Sequence, residues 1–206
     1  MNTSIISRFA KLFLLLFVFY SCTTQRVALQ FDTISQNTEL TFWYEQNENN
    51  AFLDSLRFLF PIDSLIQNAQ NDTERVIKIQ NWVHRQWRHN GRNQPTRNDA
   101  ISILKEAQAG ASFRCVEYAI VAVAALNSVG LTARRLGLRT QDSETRRSGA
   151  GHVVTEVFLN DLQRWVFIDP QWDIMLFLNG VHLMLLNFNE QSQKILTNSK
   201  LEVQEM

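Results

Sequence analysis

Apolar residues recur every three or four positions through the middle of the chain. Residues 72–87 and 98–110 both have this spacing, which predicts an amphipathic helix in each segment. Residues 115–129 are rich in alanine and are closed by Gly130, and they predict a third helix whose small side chains let neighbouring elements approach its axis. A shorter helix is expected within residues 50–60.

The pattern changes to a period of two after residue 130. Strands are predicted at residues 131–138, 152–159 and 164–169, and the polar stretch between the first two predicts a surface loop. An Asn-Gly pair at residues 179–180 lies between apolar runs and predicts a further hairpin. Helices followed by such strands predict an α+β domain, with helices packed on an antiparallel sheet.

The two ends of the chain are more polar than its middle. Residues 22–70 are assigned to a polar tether and N-terminal arm, with a β-like run at residues 39–44. The domain is assigned to residues 71–206, with a single core. Its tail, residues 187–206, is expected to be polar and helical.

An export signal is predicted at the N-terminus. Arg8 and Lys11 precede the apolar run Leu12–Tyr20, which is too short to span a bilayer but suits a signal-peptide core. The residues that end at Cys22 resemble a bacterial lipobox, which implies that residues 1–21 are removed and that Cys22 is lipidated. We therefore expect a membrane-anchored lipoprotein of the cell envelope, facing the periplasm or the exterior. An ordinary cleaved signal peptide, or a retained anchor, is the alternative.

Charge and motif content exclude several kinds of function. The chain has 20 Lys and Arg against 20 Asp and Glu, and this balance does not favour nucleic acid as a partner. No Cys/His cluster has the spacing of a metal site, and no Gly-rich phosphate loop occurs. We therefore expect neither a metal nor another cofactor.

Cys115 is the candidate nucleophile. The chain has two cysteines, and a lipid on Cys22 would leave Cys115 without a partner for an internal disulfide. At the start of the predicted helix its sulfur meets unpaired backbone N–H groups and the helix dipole, which lower the pKa of a thiol. The alternative is a buried cysteine that acts as a small hydrophobe.

The predicted hairpin brings a histidine and an aspartate together. With a loop at residues 160–163, Asp169 lies opposite Val154, and His152 is its diagonal neighbour on the same face of the sheet. Diagonal neighbours are about 7–8 Å apart, within reach of an imidazole and a carboxylate that lean towards each other. A loop of odd length, or one bulge, would put the two side chains on opposite faces.

A Cys-His-Asp triad follows as a hypothesis. The imidazole of His152 would accept the proton of the Cys115 thiol, and the Asp169 carboxylate would orient that imidazole. The other three histidines, His84, His89 and His182, are expected to have surface or core roles.

Three ordered segments of the chain carry a resemblance to a known family. Residues 114–119 and 126–134 resemble the cysteine segment of the transglutaminase-like superfamily, residues 151–157 its histidine segment, and residues 164–170 its aspartate segment. The match covers about residues 75–173. It implies a papain-like core, in which a nucleophilic Cys on a central helix packs against an antiparallel sheet that bears the His and the Asp.

The resemblance also implies a reaction. Cys115 would attack a carbonyl and form a thioester, and we expect hydrolysis of an amide or peptide bond more than crosslinking, because bacterial members with this small core lack the extra domains of crosslinking enzymes. Glycan-asparagine amidases are also similar, although their zinc cysteines are absent here. A non-catalytic binding or scaffold protein of the same fold is the other alternative. The partner would be a protein or peptide, and the oligomeric state stays open.

Upstream tryptophans are the candidates for stabilising the reaction's oxyanion. In transglutaminases proper an indole N–H does this, and Trp82 or Trp87 could resemble that residue. Beside them, the backbone N–H of Cys115 is a natural donor. Two departures concern substrate fit: Phe113 stands where the family often has glycine, and Val154 where it often has an aromatic residue.

Overall fold

The computed structural model describes residues 50–178, 181–182 and 201–205, with side chains for residues 50–177. The predicted signal peptide, the lipidation site at Cys22 and the β-like run at residues 39–44 lie outside the described residues. So does the tail between residues 183 and 200. None of the helices in the described part of the chain is both long and apolar enough to cross a membrane.

Two short helices open the described chain, α1 (Ala51–Leu59) and α2 (Ile62–Ile66). The Asn50 side chain caps α1 by accepting hydrogen bonds from the backbone of the first turn. Leu53, Leu56 and Ile62 are fully buried. These residues lie in the predicted N-terminal arm, and they contribute to the same core as the rest of the described chain.

The next helix, α3 (Asp72–His84), is capped by Asn71. The Asn71 side chain accepts the N–H of Glu74, whereas the Asp72 carboxylate accepts the backbone N–H of Asn160. Asp72 therefore ties the helix start to the hairpin loop. The predicted apolar face is buried, but α3 ends at His84, so Trp87 lies beyond the helix and is buried there.

Helix α4 (Ala100–Gln108) begins where the sequence predicts, because the Asp99 side chain accepts the N–H of Ser102 and caps it. Its buried face passes through Ala100, Ile103, Leu104 and Ala107. Ile101 does not belong to the fully buried set. It is half-buried instead, since it lies at the flank of that face.

Helix α5 (Cys115–Ser128) is the central element of the fold. It contacts α1, α3 and α4 as well as two strands, and it is buried along most of its length. Four alanines are among its buried residues, so the neighbouring helices and the sheet come close to its axis. The helix is followed by Gly130 with φ +79°, a left-handed conformation that glycine adopts without strain.

An antiparallel sheet follows the helices. The strands are β1 (Ala133–Arg139), β2 (Gly151–Leu159), β3 (Arg164–Asp169), β4 (Ile174–Leu178), β5 (Val181–His182) and β6 (Leu201–Glu205). Strands β1 to β4 form a meander, and β4 also pairs with β5 and β6. The fold is therefore α+β, with helices packed on an antiparallel sheet, as the sequence predicts. The expectation of a helical tail is wrong for residues 201–205, because these residues pair with β4 as a strand.

Both predicted hairpins are present. Leu159 pairs with Arg164, and Thr155 pairs with Ile168, in an unbroken register without a bulge. The second hairpin joins β4 to β5, with Leu178 opposite Val181. The first register places Asp169 at the end of β3, where it would pair with Val154 of β2.

Candidate active site

Cys115 is the first residue of α5, and its sulfur is surrounded by hydrogen-bond donors. The pKa of the Cys115 thiol is lowered, first by hydrogen bonding to His152 and further by backbone hydrogen bonds from Val153 and Val116. Burial of the sulfur opposes this shift. The thiol is half-buried and forms no disulfide. This environment favours the thiolate, which is the nucleophilic form of cysteine.

The start of α5 is fixed by a buried ion pair. The Glu117 carboxylate, which is fully buried, accepts hydrogen bonds from the backbone N–H of Arg114 at 3.0 Å and from its guanidinium at 2.6 Å. The same carboxylate raises the pKa of the Arg114 guanidinium. Arg114 therefore carries a positive charge directly before Cys115 and locks the turn that presents the sulfur.

His152 lies near the start of β2, between the thiol and a carboxylate. Its Nε2 atom is 2.6 Å from Oδ2 of Asp169. That contact occupies Nε2, so Nδ1 is the ring nitrogen left for the Cys115 sulfur. The hydrogen bond to Asp169, followed by the one to Cys115, raises the pKa of His152 to about 10, although burial opposes the shift. The raised pKa favours the imidazolium form of His152 at neutral pH, and the lowered pKa of the thiol favours the thiolate beside it.

Both oxygens of the Asp169 carboxylate are engaged. Oδ2 faces His152, and Oδ1 accepts the backbone N–H of Gln171 at 3.0 Å. The side chain is almost fully buried at the end of β3. Because each oxygen is held by its own hydrogen bond, the carboxylate is fixed in the orientation that contacts the imidazole.

The turn that follows Asp169 is tied to α3 by polar contacts. The Asp173 carboxylate accepts hydrogen bonds from Nε2 of Gln80 at 3.2 Å and from Nδ2 of Asn81 at 2.7 Å. One turn later on α3, Nδ1 of His84 contacts the carbonyl oxygen of Gln171 at 3.0 Å. Asp173 itself has φ +55°, a left-handed conformation that aspartate tolerates better than most residues.

This polar face of α3 was not predicted from the sequence. A fully buried glutamine, Gln80, follows the core residue Ile79, and a polar residue on an apolar face signals a specific partner. His84 was assigned to a surface or core role and in fact contacts the turn. His89 is exposed, and the side chain of His182 lies outside the described residues.

The two candidate tryptophans lie in different surroundings. The Trp82 ring packs against Phe60, with centroids 6.4 Å apart. The Trp87 ring packs on Phe113 at 5.6 Å and on Tyr118 at 4.5 Å, the residues that flank Cys115 at the start of α5. The indole N–H of Trp87 is buried and has no hydrogen-bond partner in the described part of the chain. Of the two, Trp87 is the one that packs beside the cysteine segment.

The described residues offer no group of three or more His, Cys, Asp or Glu side chains that could hold a metal ion. What the structure brings together is a thiol, an imidazole and a carboxylate in a row, fixed by the starts of α5 and β2 and the end of β3. Such a row suits nucleophilic catalysis.

Comparison with known proteins places this arrangement in a family. Residues 62–170 match the family model of the transglutaminase-like superfamily. The chain belongs to this superfamily. A search of curated proteins found no match.

Two solved structures are similar to the chain. One is a proposed cysteine protease from Cytophaga hutchinsonii, at 13% identity and a TM-score of 0.47, with 66% of this chain and 45% of that chain covered. The other is a TGase, at 16% identity and a TM-score of 0.42, with 66% of this chain and 34% of that chain covered. The chain thus spans less than half the length of either structure.

Proposed function

We propose that this transglutaminase-like domain catalyses acyl transfer through a thioester at Cys115, and that water is the usual acceptor. The observation that carries the proposal is the position of His152, which contacts the Cys115 sulfur on one side and Asp169 at 2.6 Å on the other. A structural cysteine needs neither contact. The substrate would be a protein or peptide with an amide carbonyl.

The reaction has two halves. The Cys115 thiolate attacks the carbonyl carbon, and the tetrahedral intermediate expels the amine, which takes a proton from the His152 imidazolium. His152, now neutral, takes a proton from water. The hydroxide attacks the thioester carbonyl and releases the carboxylic acid and the thiolate. Asp169 keeps its charge and stabilises the imidazolium in both halves.

Two N–H groups are suited to stabilise the oxyanion of the intermediate. The backbone N–H of Cys115 belongs to the first turn of α5, where N–H groups lack partners within the helix. The buried indole N–H of Trp87 is the second, since it has no other partner in the described chain and its ring packs on Tyr118, three residues after Cys115. We assign no such role to Trp82, whose ring lies against Phe60.

The test is acylation by an activated ester, because the natural substrate is unidentified. With p-nitrophenyl acetate, we expect a burst of nitrophenol and a mass increase of one acetyl group on Cys115, followed by slow hydrolysis. Cys115→Ala should abolish the burst, and His152→Ala should suppress it. Adding a lysine-like amine such as butylamine then shows which acceptor the acyl-enzyme prefers. A product that remains mainly acetate supports hydrolysis, and a product that is mainly the amide supports crosslinking.

A binding protein that kept the fold would behave differently. In that case iodoacetamide would label Cys115 only as the pH approaches the ordinary pKa of a free thiol, about 8.5. The triad predicts fast labelling well below that pH, and slow labelling in His152→Ala. Equal labelling curves for the two proteins would reject the catalytic proposal.

The same chain is proposed to act at the cell envelope, tethered by a lipid on Cys22. Support comes from the basic residues Arg8 and Lys11 ahead of an apolar run that ends near Cys22. Metabolic labelling with radioactive palmitate tests this. If the full chain is labelled and the Cys22→Ser variant is not, the result supports the lipid anchor. If the full chain is not labelled, the result rejects it.

A further inference from the structure

One side of strand β1 has no neighbour among the described residues. Within the described residues it pairs with β2 alone. Hydrogen bonds from Phe158 N–H to the Thr132 carbonyl, and from Thr140 N–H to the Ala150 carbonyl, fix which β1 residues bond to β2. These are the even-numbered positions. In an antiparallel ladder the alternate residues point their N–H and C=O groups the other way. Arg135, Gly137 and Arg139 therefore present theirs at the open edge.

The same three residues leave room beside that edge. Arg135 and Arg139 are exposed, and nothing lies within 4 Å of where a Cβ on Gly137 would be. Leu136 and Leu138, on the other face of the strand, are half-buried. An edge of this kind accepts an added strand, because its backbone groups are unpaired and glycine makes space for a side chain opposite.

A cleft opens under the same strand, on the face that packs against the helices. Its volume is about 330 Å³, and Arg135 forms its wall on the side of the sheet. Ile120 and Val123 of α5 and Phe52 of α1 provide apolar lining, and Ala100 at the start of α4 adds to it. None of the triad residues lines the cleft. It is therefore a separate site, and its size suits one apolar side chain of a bound segment.

The charges around the edge are unbalanced. Neither Arg135 nor Arg139 has an ion pair within the described residues. The one carboxylate that lines the cleft, Asp99, is already engaged by the N–H and hydroxyl of Ser102 and by Arg97 at 3.3 Å. A ligand that covers this edge would gain from a carboxylate of its own.

We propose that the open edge of β1 binds an extended peptide segment of another protein, with an acidic residue two positions from a large apolar residue. The acidic side chain lies over Gly137, diagonal to both Arg135 and Arg139. The apolar side chain, two residues away on the same face, lies beside Arg135 and enters the cleft. Backbone hydrogen bonds to the three outward-facing residues hold the segment. This site does not depend on the triad.

The test uses a synthetic peptide of about ten residues, the length that pairs with one typical strand. Glutamate and leucine alternate on one face of the peptide and threonine fills the other. Binding is followed by fluorescence polarisation with the full chain and with Cys115→Ala, which excludes cleavage as a cause of any change. Hydrogen exchange should slow at the amides of Arg135, Gly137 and Arg139 when the peptide binds. The amides of Leu136 and Leu138, already bonded to β2, should change little.

Two controls separate strand addition from charge attraction. N-methylation of the alternate peptide amides that face β1 should abolish binding, and methylation of the other set should not. The double variant Arg135→Glu with Arg139→Glu should weaken binding about tenfold or more. Arg88→Glu with Arg164→Glu makes the same charge change at exposed sites elsewhere and should leave binding intact.

Three results would overturn the proposal: equal loss in both double variants, indifference to N-methylation, or amides at Arg135, Gly137 and Arg139 already protected in the free protein. The last would mean that another part of the chain occupies the edge. The acylation burst is independent of all three, so failure here would leave the proposed catalytic function untouched.

Discussion

The Asn81 side chain of α3 donates a 2.7 Å hydrogen bond to the Asp173 carboxylate, which lies four residues after the candidate catalytic aspartate. Gln80 donates to the other oxygen of the same carboxylate. Asp173 is buried and its backbone is in the left-handed conformation. The side-chain amides of Gln80 and Asn81 therefore hold a turn that has little conformational freedom of its own. Since the turn also supplies the Gln171 N–H to Asp169, α3 orients the triad without touching its sulfur.

Asp173→Ala tests this positioning role. The change leaves two amide donors without their acceptor and should reduce the free energy of unfolding by about 1–3 kcal/mol. It should also lower kcat/KM for the ester and move the pH profile of Cys115 labelling upward, because the His152 imidazole loses its fixed partner. Asparagine tolerates the left-handed backbone conformation, so Asp173→Asn should restore part of the stability and part of the activity. A loss of stability with an unchanged pH profile would show a purely structural role, and Asp142→Ala, at an exposed carboxylate, is the control.

Trp87→Phe tests the oxyanion donor. Phenylalanine keeps the ring contacts with Phe113 and Tyr118 and removes only an indole N–H that has no partner in the described chain, so stability should not fall. The rate of acylation should drop by about 10²–10³, the typical effect of losing one such donor. Labelling of Cys115 by iodoacetamide, which forms no oxyanion, should be unaffected. Trp82→Phe is the matched control, and equal acylation rates in both variants would remove Trp87 from the mechanism.

The hairpin that joins His152 to Asp169 could be predicted from the sequence because side chains alternate along a strand. Once the loop length is known, that period of two decides which residues share a face. The helix that begins at Cys115 could be predicted equally well, from the spacing of its alanines. The contacts of Gln80 and Asn81 with Asp173 could not be predicted from the sequence. They join residues more than 90 positions apart, and no local periodicity indicates such a pairing.

The N-terminal cap of α3 and the strand β6 could not be predicted from the local sequence for a related reason. Asn71 and Asp72 are both good capping residues, and the choice between them follows from the hydrogen bond that Asp72 makes with the distant Asn160 backbone. Residues 201–205 have a polar composition that suits a surface helix, and pairing with β4 overrides that preference. In both cases a tertiary contact decided between local alternatives.

Asp169→Asn tests the carboxylate itself. The chain should fold, but a neutral amide no longer supplies the carboxylate hydrogen bond that is the first cause of the raised His152 pKa, nor the negative charge that adds to it. That pKa should fall from about 10 towards the ordinary 6.5, and acylation should be lost at neutral pH. Imidazole proton shifts followed by NMR against pH measure the change directly. Undiminished acylation, or a His152 pKa that stays near its original value, would contradict the assignment of Asp169.

Trp165→Ala tests a stabilising contact on the sheet. The Trp165 ring is half-buried, with the Arg134 guanidinium 4.2 Å from its centroid and the Phe158 ring at 5.6 Å. Losing both contacts should cost about 2 kcal/mol, less than the roughly 3–5 kcal/mol of a fully buried tryptophan. Urea unfolding measures this, with the exposed Trp172→Ala as the control. Equal midpoints for the two variants would show that Trp165 contributes nothing.

The opposite shifts of His152 and Cys115 predict how stability depends on pH. The folded pKa of His152, about 10, lies above its ordinary 6.5, so its contribution is complete below pH 6.5 and is lost as the pH rises towards 10. Cys115 has a lowered folded pKa, so its contribution is present above pH 9.0 and is lost as the pH falls through the folded value. Over part of the range between 6.5 and 9.0 the two slopes have opposite signs and offset each other.

Cys115→Ala removes the contribution of the thiol to the pH dependence of the free energy of unfolding. Asp169 alone then keeps the pKa of His152 raised, and the free energy of unfolding should fall by about 1.4 kcal/mol per pH unit from pH 6.5 upward, one proton's worth of linkage. The wild-type chain should decline less steeply as the pH approaches 9.0, because loss of the thiol proton on folding compensates. Urea unfolding at intervals of half a pH unit compares the two proteins. Parallel curves over this range would show that the thiol keeps its proton in the folded state, and the thiolate–imidazolium pair would have to be abandoned.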